Sequence, residues 1–401
     1  MKTLTDFNQM LLEMDRIQLL PSEQARIAEL CEIAFDPGFE EFADLDPFSE
    51  EYKCLAIDLY KRVSGRSDYN PEINELAPYL ETGPVKDQKY ESTALLGDYL
   101  TSVGQVLVTL NASPGQHVLE YGAGEGEIAL QAASAGCRVT VVDIEARYLK
   151  LISASAKARQ VEISTVQGEF GHDCGRFDRI LFYEAFHHCL DHIEVSQKLR
   201  TMLNPGGYVV FAGEPVIGDH NEQWRPSLKY PWGVRLDGLS FRAIRTYGWM
   251  ELGFDQDYFV EMLMRAGFLV EYHHCSWNPR ASAYIARPYA ELINFGDSFL
   301  LPGAWHIGQI DHRWTGANEV IVPLRAHNGN VEISIKNYGP TPRSFELVSG
   351  EHRVSGHLEF NEGQVFTIGA TAKISIITEA LEDVVSDPRL LGVAVETLRF
   401  L

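Results

Sequence analysis

Positive charge is the first thing this sequence lacks. Its 34 Lys and Arg face 56 Asp and Glu, a formal net charge of −22, and no Lys/Arg-rich run stands against it. Phosphates would be repelled over most of such a surface, which excludes a nucleic-acid partner. Cysteine is scarce too: the 6 residues Cys31, Cys54, Cys137, Cys174, Cys189 and Cys275 are scattered, with no C-x-x-C pair. That spacing makes neither a zinc motif nor a disulfide framework, so free buried thiols in a reducing compartment are expected. No apolar run reaches the length of a membrane span. The opening MKTLTDFNQMLLEMDRI sets acids inside its apolar positions, where a secretory leader needs an unbroken core. A cytoplasmic protein of two or three domains is the expectation for 401 residues that are 45% hydrophobic.

The chain is organised around His117 to Glu145, HVLEYGAGEGEIALQAASAGCRVTVVDIE. An apolar strand runs through Val118 and Leu119 into Glu120, and Gly122, Gly124 and Gly126 follow at alternate positions. A helix of small and apolar residues, Ile128 to Ala135, leads to a second apolar run, Val139 to Val142, that ends in Asp143. Strand, glycine loop, helix, strand and acid make the first half of a nucleotide-binding α/β unit. Its glycines admit a ligand close to the backbone, and its acid is set to accept hydrogen bonds from ribose hydroxyls. A dinucleotide fingerprint would put the third glycine where Glu127 stands. Glu127 and Glu120 instead make a rim that repels phosphate and suits a cationic ligand.

This E-x-G-x-G-x-G pattern resembles the first motif of class I S-adenosylmethionine-dependent methyltransferases, whose cofactor carries a sulfonium. A second resemblance lies in Leu203-Asn-Pro-Gly-Gly-Tyr208, which precedes the fifth strand in that family. The resemblance implies a Rossmann-like α/β domain with a seven-stranded sheet, and S-adenosylmethionine as cofactor. Its cradle would comprise Glu120, Gly122, Ala123, Gly124, Gly126, Asp143 and Ile144, with Glu169 and Phe170 beyond the third strand and Glu184 beyond the fourth. Glu169 corresponds to an acid that often bonds the adenine amino group, although a solvated loop carboxylate fits that position equally well.

Read in order, residues 1–90 form a helical N-terminal segment, with helices starting near Phe7, over Ala25 to Phe35 and over Tyr52 to Val63. Tyr69, Tyr79 and Tyr90 lie just upstream of the Rossmann-like domain, assigned to residues 91–287, where many such enzymes cover the cofactor. Within it, residues 219–250 read as a substrate-covering insertion without simple periodicity. Trp224, Arg225, Tyr230, Trp232 and Arg235 there, with Arg242 and Arg245, offer aromatic faces and fixed charge suited to a sugar ring bearing an anionic group. Packing of the loop on itself accounts for any one of them as well. Residues 288–401 turn β-rich, with short alternating runs between Gly, Asn and Pro turns, and read as an antiparallel β-sandwich. Trp305 to Thr315 (WHIGQIDHRWT) and the Asp387-Pro-Arg-Leu-Leu-Gly-Val run look like β-domains attached to bacterial enzymes of surface-polysaccharide assembly, except that Gln309 replaces an expected acid.

Methyl transfer is an in-line displacement, and a sugar hydroxyl is a weak nucleophile that a general base would assist. The fourth strand opens into Glu184-Ala-Phe-His187-His188-Cys-Leu-Asp191-His192, which nominates His188, then His187, as that base. Glu214, Asp219 and His220 add further possible metal ligands, but no fixed spacing singles out a site, and no metal is expected. The resulting expectation is O-methylation of a glycan or other small-molecule acceptor, with a homo-oligomer compatible. The alternatives are a natural-product O- or N-methyltransferase, or a scaffold that keeps the fold without catalysis. A dehydrogenase or epimerase on the same fold is disfavoured by the displaced third glycine.

Overall fold

The computed structural model describes residues 1–38, 40–77, 92–307, 311–316, 318–325, 329–379, 389 and 391–401. Strand β1 (Lys2–Leu4), helix α1 (Phe7–Gln18), helix α2 (Glu23–Leu30), strand β2 (Ile33–Phe35), helix α3 (Glu50–Ser64) and the short helix α4 (Pro71–Asn74) come first. Each helix starts where a side chain accepts from an otherwise unpaired N–H: Asp6, Ser22, Ser49 and Asn70 are the caps. The second helix is shorter than its sequence suggests. Ile33, Ala34 and Phe35 are all buried and pair in parallel with Lys2–Leu4, because two β-favouring residues gain more from that pairing than from another helical turn.

Helix α5 (Thr93–Leu110) leads into β3 (His117–Tyr121), α6 (Glu127–Ser134), β4 (Arg138–Asp143), α7 (Ala146–Arg159), β5 (Ile163–Gln167), β6 (Phe177–Tyr183), α8 (His192–Thr201) and β7 (Leu203–Ala212). Residues 219–250 are more regular than their sequence suggests. They contribute to a small sheet of β8 (Val216–Ile217), β9 (Trp232–Val234) and β10 (Leu252–Asp255), ordered β8-β10-β9, and contain helix α9 (Gly238–Thr246). Helix α10 (Gln256–Arg265) and strands β11 (Phe268–His273) and β12 (Ala283–Pro288) complete the main sheet, ordered β11-β12-β7-β6-β3-β4-β5. All its pairs are parallel except those of β12, which runs against both neighbours. The strands read as apolar runs because helices cover both faces. Asn204 to Gly207, expected as a turn before β7, is absorbed into that strand where the pairing with β6 shifts register between Phe177 and Arg179. The strand order switches at β3, with β4 and β5 on one side and β6 and β7 on the other, so a crevice opens beyond the carboxyl ends of β3, β4 and β6.

The N-terminal helices pack on the insertion. Tyr52 Oη donates to the Trp232 carbonyl at 2.8 Å, Trp232 Nε1 donates to Pro47 at 2.8 Å, and Phe7, Phe35 and Phe241 meet edge to face or tilted.

Beyond Tyr289 the chain forms two antiparallel sheets. One contains Leu292–Asn294, Trp305–Ile307, Arg313–Thr315, Ala394–Phe400, Asn330–Lys336 and Gly363–Gly369; the other orders Glu319–Pro323, Lys373–Thr378, Arg343–Ser349 and His352–Leu358. Alternate residues such as Val331, Ile333 and Ile335 are buried, which is what the sequence pattern predicts. Tyr289 ties this part to the α/β part: its ring stacks on Phe400 with centroids 5.7 Å apart, and its hydroxyl donates to the Met264 carbonyl. Gln309, Asp387, Tyr79 and Tyr90 lie outside the described residues.

Candidate active site

Strand β3 delivers the chain into three successive left-handed glycines, with φ of 62°, 52° and 75° at Gly122, Gly124 and Gly126. At Gly122 a side chain would meet Ala185 at 3.0 Å and the Phe170 ring at 3.2 Å, so the loop lies directly against the elements after β5 and β6. At Gly126 a Cβ would come 2.6 Å from Ile152 of α7. Gly126→Ala combines that overlap with a left-handed backbone and is expected to cost about 2 kcal/mol or more, read as a lower denaturation midpoint at unchanged slope.

Asp143 ends β4 and fastens the loop: its carboxylate accepts from Gly124 N at 3.1 Å and from Glu145 N at 2.8 Å. Burial raises its pKa to about 6 despite those two bonds. Each oxygen keeps a lone pair for a further donor. Glu120 behaves differently from its sequence-based reading. It is 3% exposed and outside the cavity wall, and burial pushes it up to about 8. At neutral pH it is an uncharged acid beneath the loop, not part of a negative rim. Glu127 also turns away, pairing with Arg159 at 3.1 Å.

A cavity of about 440 Å³ lies beyond these strand ends, walled by Gly122, Gly124, Asp143, Ile144, Glu169, Phe170, Glu184 and His188 among others. Ala123 and Gly126 shape the loop from outside that wall. Glu184, at the mouth, holds a left-handed backbone with φ of 50°, an unusual state for a residue with a Cβ. Enclosure raises its carboxyl, against the pull of Arg280 at 3.5 Å.

Helix α4 and the residues after it form a strap over this cavity. Tyr69 Oη donates to Glu75 Oε1 at 2.8 Å, and Met250 N donates to the same oxygen at 2.7 Å. Trp249 Nε1 donates to the Leu76 carbonyl at 3.1 Å. On the opposite side Arg147 donates to the Ala77 carbonyl at 2.9 Å, while Glu145, held at about 2 chiefly by Arg147, accepts from Ala77 N. Glu75, Ala77, Glu145, Tyr148 and Trp249 all line the cavity, and sequence reasoning missed all five. Only the Tyr69 neighbourhood carried a signal, as the stretch upstream of the fold.

The two histidines after β6 have unlike surroundings. Glu214 is fully buried; its carboxylate accepts from the N–H groups of Ala185, Phe186 and His187 at 2.8–3.1 Å and contacts His187 Nδ1 at 2.9 Å. His187 is therefore fixed with Nε2 directed to Glu251, 3.8 Å away, and is not in the cavity wall. His188 is in the wall, with Nδ1 3.0 Å from Glu75 Oε2 in an ion pair too oblique for a straight hydrogen bond. Burial opposes its protonation, but Glu75, with Glu251 and Glu214 behind it, prevails and raises it to about 9. Glu75 thus favours the protonated ring, the form that a general base or a metal ligand must first give up. His192 is not in the wall either: it is buried, its Nε2 lies 2.8 Å from Tyr258 Oη, and burial lowers it to about 4.

The insertion residues proposed for substrate do not reach the cavity wall. Trp232 is 1% exposed among Tyr52, His192 and Tyr258. Tyr230 stacks on Phe42, with its hydroxyl donating to the Val234 carbonyl. Arg225 pairs with Asp255 and Glu222, and Arg235 with Glu251 at 3.2 Å. Trp224 lies half-buried in the turn that precedes β9. Tyr230, Trp232, Arg225 and Arg235 thus engage partners within the protein.

Comparison with known proteins bears on the same stretch. Residues 119–211 match the family described as a methyltransferase domain. The chain is 29% identical over 103 residues to a ubiquinone biosynthesis O-methyltransferase of Albidiferax ferrireducens, covering 24% of this chain and 41% of that protein. It is 27% identical over 103 residues to the protein of the same name from Vibrio parahaemolyticus, covering 24% and 43%. The chain thus spans about two fifths of the length of the curated relatives it matches. Among solved structures, magnesium protoporphyrin IX methyltransferase from Synechocystis PCC 6803 with bound SAH aligns at TM-score 0.35 and 14% identity, over 59% of this chain and 95% of that one. A SAM-dependent methyltransferase from Aquifex aeolicus aligns at TM-score 0.34 and 12% identity, over 46% and 87%. Residues 119–211 are thus similar to methyltransferase domains.

Proposed function

We propose that the whole protein transfers the methyl group of S-adenosylmethionine to a hydroxyl oxygen of a sugar or glycan. The observation that carries this reading is the single cavity bounded at one end by Gly122, Gly124 and Asp143 and at the other by His188 and Glu75. In this reading Asp143 accepts the ribose hydroxyls, Ile144, Glu169 and Phe170 receive the adenine, and Glu184 with the glycine loop faces the amino and sulfonium groups. Of the six wall acids, Glu75, Glu145, Glu184 and Asp191 pair with His188, Arg147, Arg280 and Lys53, while Asp143 and Glu169 add further negative charge, which favours a cationic cofactor. The same balance favours an acceptor with no negative charge near the transferred methyl. Methyl transfer breaks the S–C bond and forms an O–C bond while sulfur keeps the electron pair, so alignment of the two partners is the main task.

The glycan context rests on the likeness of the Trp305 and Asp387 segments to polysaccharide-assembly β-domains, and on this reading residues 288–401 form a β-sandwich. Residues 1–90 and 91–287 then act together as the catalytic part, in the cytoplasm, consistent with six free cysteines. Among the described residues no helix is long and apolar enough to cross a membrane. Homo-oligomerisation is compatible with this arrangement. A second reading, O-methylation of a phenolic small molecule, is favoured by the ubiquinone-biosynthesis relatives of residues 119–211.

The test is an acceptor screen that measures S-adenosylhomocysteine release with neutral sugars and glycans, nucleotide-sugars and dihydroxyphenols. Turnover with neutral sugars is the expected result. Turnover with phenols alone transfers the assignment to the second reading, and no cofactor binding at all leaves a non-catalytic scaffold.

A further inference from the structure

We propose that His187, His188 and Glu251 hold a divalent transition-metal ion at the acceptor end of the cavity, with a remaining coordination position for an acceptor hydroxyl. The function assigned to this metal rests on the methyltransferase reading above; the site itself does not.

One ligand atom from each of the three residues lies within 4.8 Å of the others. Zinc-type ligand atoms sit about 2.0–2.2 Å from their ion, so small side-chain rotations would close such a triangle around one. The residues come from two rigid elements. His187 and His188 occupy the turn after β6, whose N–H groups are held by Glu214, and their rings are 4.3 Å apart. Glu251 immediately precedes β10, and its carbonyl accepts from Arg235 N at 2.7 Å.

The environment of His187 is the strongest indication. Its Nδ1 is 2.9 Å from the buried Glu214 carboxylate, while Nε2 faces Glu251. Metal-binding histidines have this arrangement: one ring nitrogen is tied to a carboxylate, which fixes the ring and leaves the other nitrogen as ligand. Two imidazoles and one carboxylate favour zinc, iron or cobalt over magnesium or calcium, which take oxygen donors. The acids Glu75 and Glu251 are met by the His188 ring and by Arg235. A bound ion would supply that positive charge directly.

His188 belongs to the cavity wall, so an ion beside it adjoins the acceptor. Acting as a Lewis acid, it would lower the pKa of a coordinated hydroxyl. The hydroxyl proton would pass to Glu75 in the same wall as oxygen attacks the methyl carbon and the S–C bond breaks. No oxidant or reductant is needed.

The experiment uses the full chain stripped with a chelator, then titrated by calorimetry with Zn²⁺, Co²⁺ and Mg²⁺, with visible spectra for the cobalt form. The expected result is one Zn²⁺ or Co²⁺ per chain at micromolar or tighter affinity. It should weaken at least about 100-fold in both His187→Ala and Glu251→Gln. S-adenosylmethionine affinity, measured on the same samples, should stay within a few-fold, which also reports that the variants fold. Absence of Zn²⁺ and Co²⁺ binding, saturation by Mg²⁺ alone, or unchanged Zn²⁺ affinity in both variants overturns the proposal. Failure of the methyltransferase reading would look different: metal would bind and S-adenosylmethionine would not.

Discussion

Asp143→Ala is expected to weaken S-adenosylmethionine binding about 100-fold, measured by calorimetry at pH 7.5. The carboxylate would lose its bonds to the ribose, and hydrogen bonds to a charged group contribute about 1.5–3 kcal/mol each. It would also release Gly124 N and Glu145 N, which it now holds at 3.1 Å and 2.8 Å, so the loop would loosen as well. Asp143→Asn keeps one acceptor oxygen and should fall between the two. The wild-type protein should show a pH dependence of known sign. Burial raises this acid to about 6. Ribose hydroxyls donate to the ionised form, so binding favours proton loss. Affinity should therefore rise with pH through about 6 and flatten above it. A flat profile from pH 5 to 8, or an Asp143→Ala variant that binds normally, would remove Asp143 from the cofactor site.

Glu214→Ala should have the largest effect on stability, about 3–5 kcal/mol. The side chain is fully buried, and its removal leaves three backbone N–H groups and the His187 ring without their acceptor. Scaled by chain size, the melting temperature should drop by roughly 4–6 °C. Burial acts to raise this acid, but the His187 bond and the backbone donors outweigh it, so its pKa lies below the usual 4.5. A depressed carboxyl stabilises the fold above its unfolded value, and that contribution disappears as pH falls through the folded value. Wild-type protein should therefore lose the charge-dependent part of the Glu214 contribution only below about pH 4.5, where the gap between the melting curves of wild type and Glu214→Ala narrows. A Glu214→Ala midpoint within 2 °C of wild type at pH 7 would contradict this account.

The β3–loop–β4 unit was legible because its causes are local. Gly122, Gly124 and Gly126 must be left-handed, and Asp143 lies at the end of the very next strand, so one short stretch carries both features. The insertion was not legible, because its partners are distant in sequence. Trp232 looks like a sugar platform until Tyr52 and Pro47 are found bonded to it, and Arg242 looks free until Glu23 reaches it at 2.8 Å. Glu75 carries no signal at all: it is one acid among many in a helical segment, and only folding sets it beside His188. Ile33 to Phe35 was read as helix because its pairing partner is the chain's first strand, which no local pattern announces. Charge was misread at Glu120 for a related reason, since composition counts an acid as negative whether or not water reaches it.

The strap over the cavity has a kinetic consequence. Its residues are tied on one side to Glu145 and Arg147, close to Asp143, and on the other to Trp249 and Met250. A cofactor seated beneath it is enclosed by contacts from both flanks. Departure of the spent thioether then requires those contacts to open once in every cycle, and such opening steps are slow compared with chemistry in many enzymes. On the proposed activity, release of the N-terminal segment is expected to limit turnover, and Trp249→Phe, which removes the bond to Leu76, should change kcat in a burst-phase measurement while leaving single-turnover chemistry unchanged.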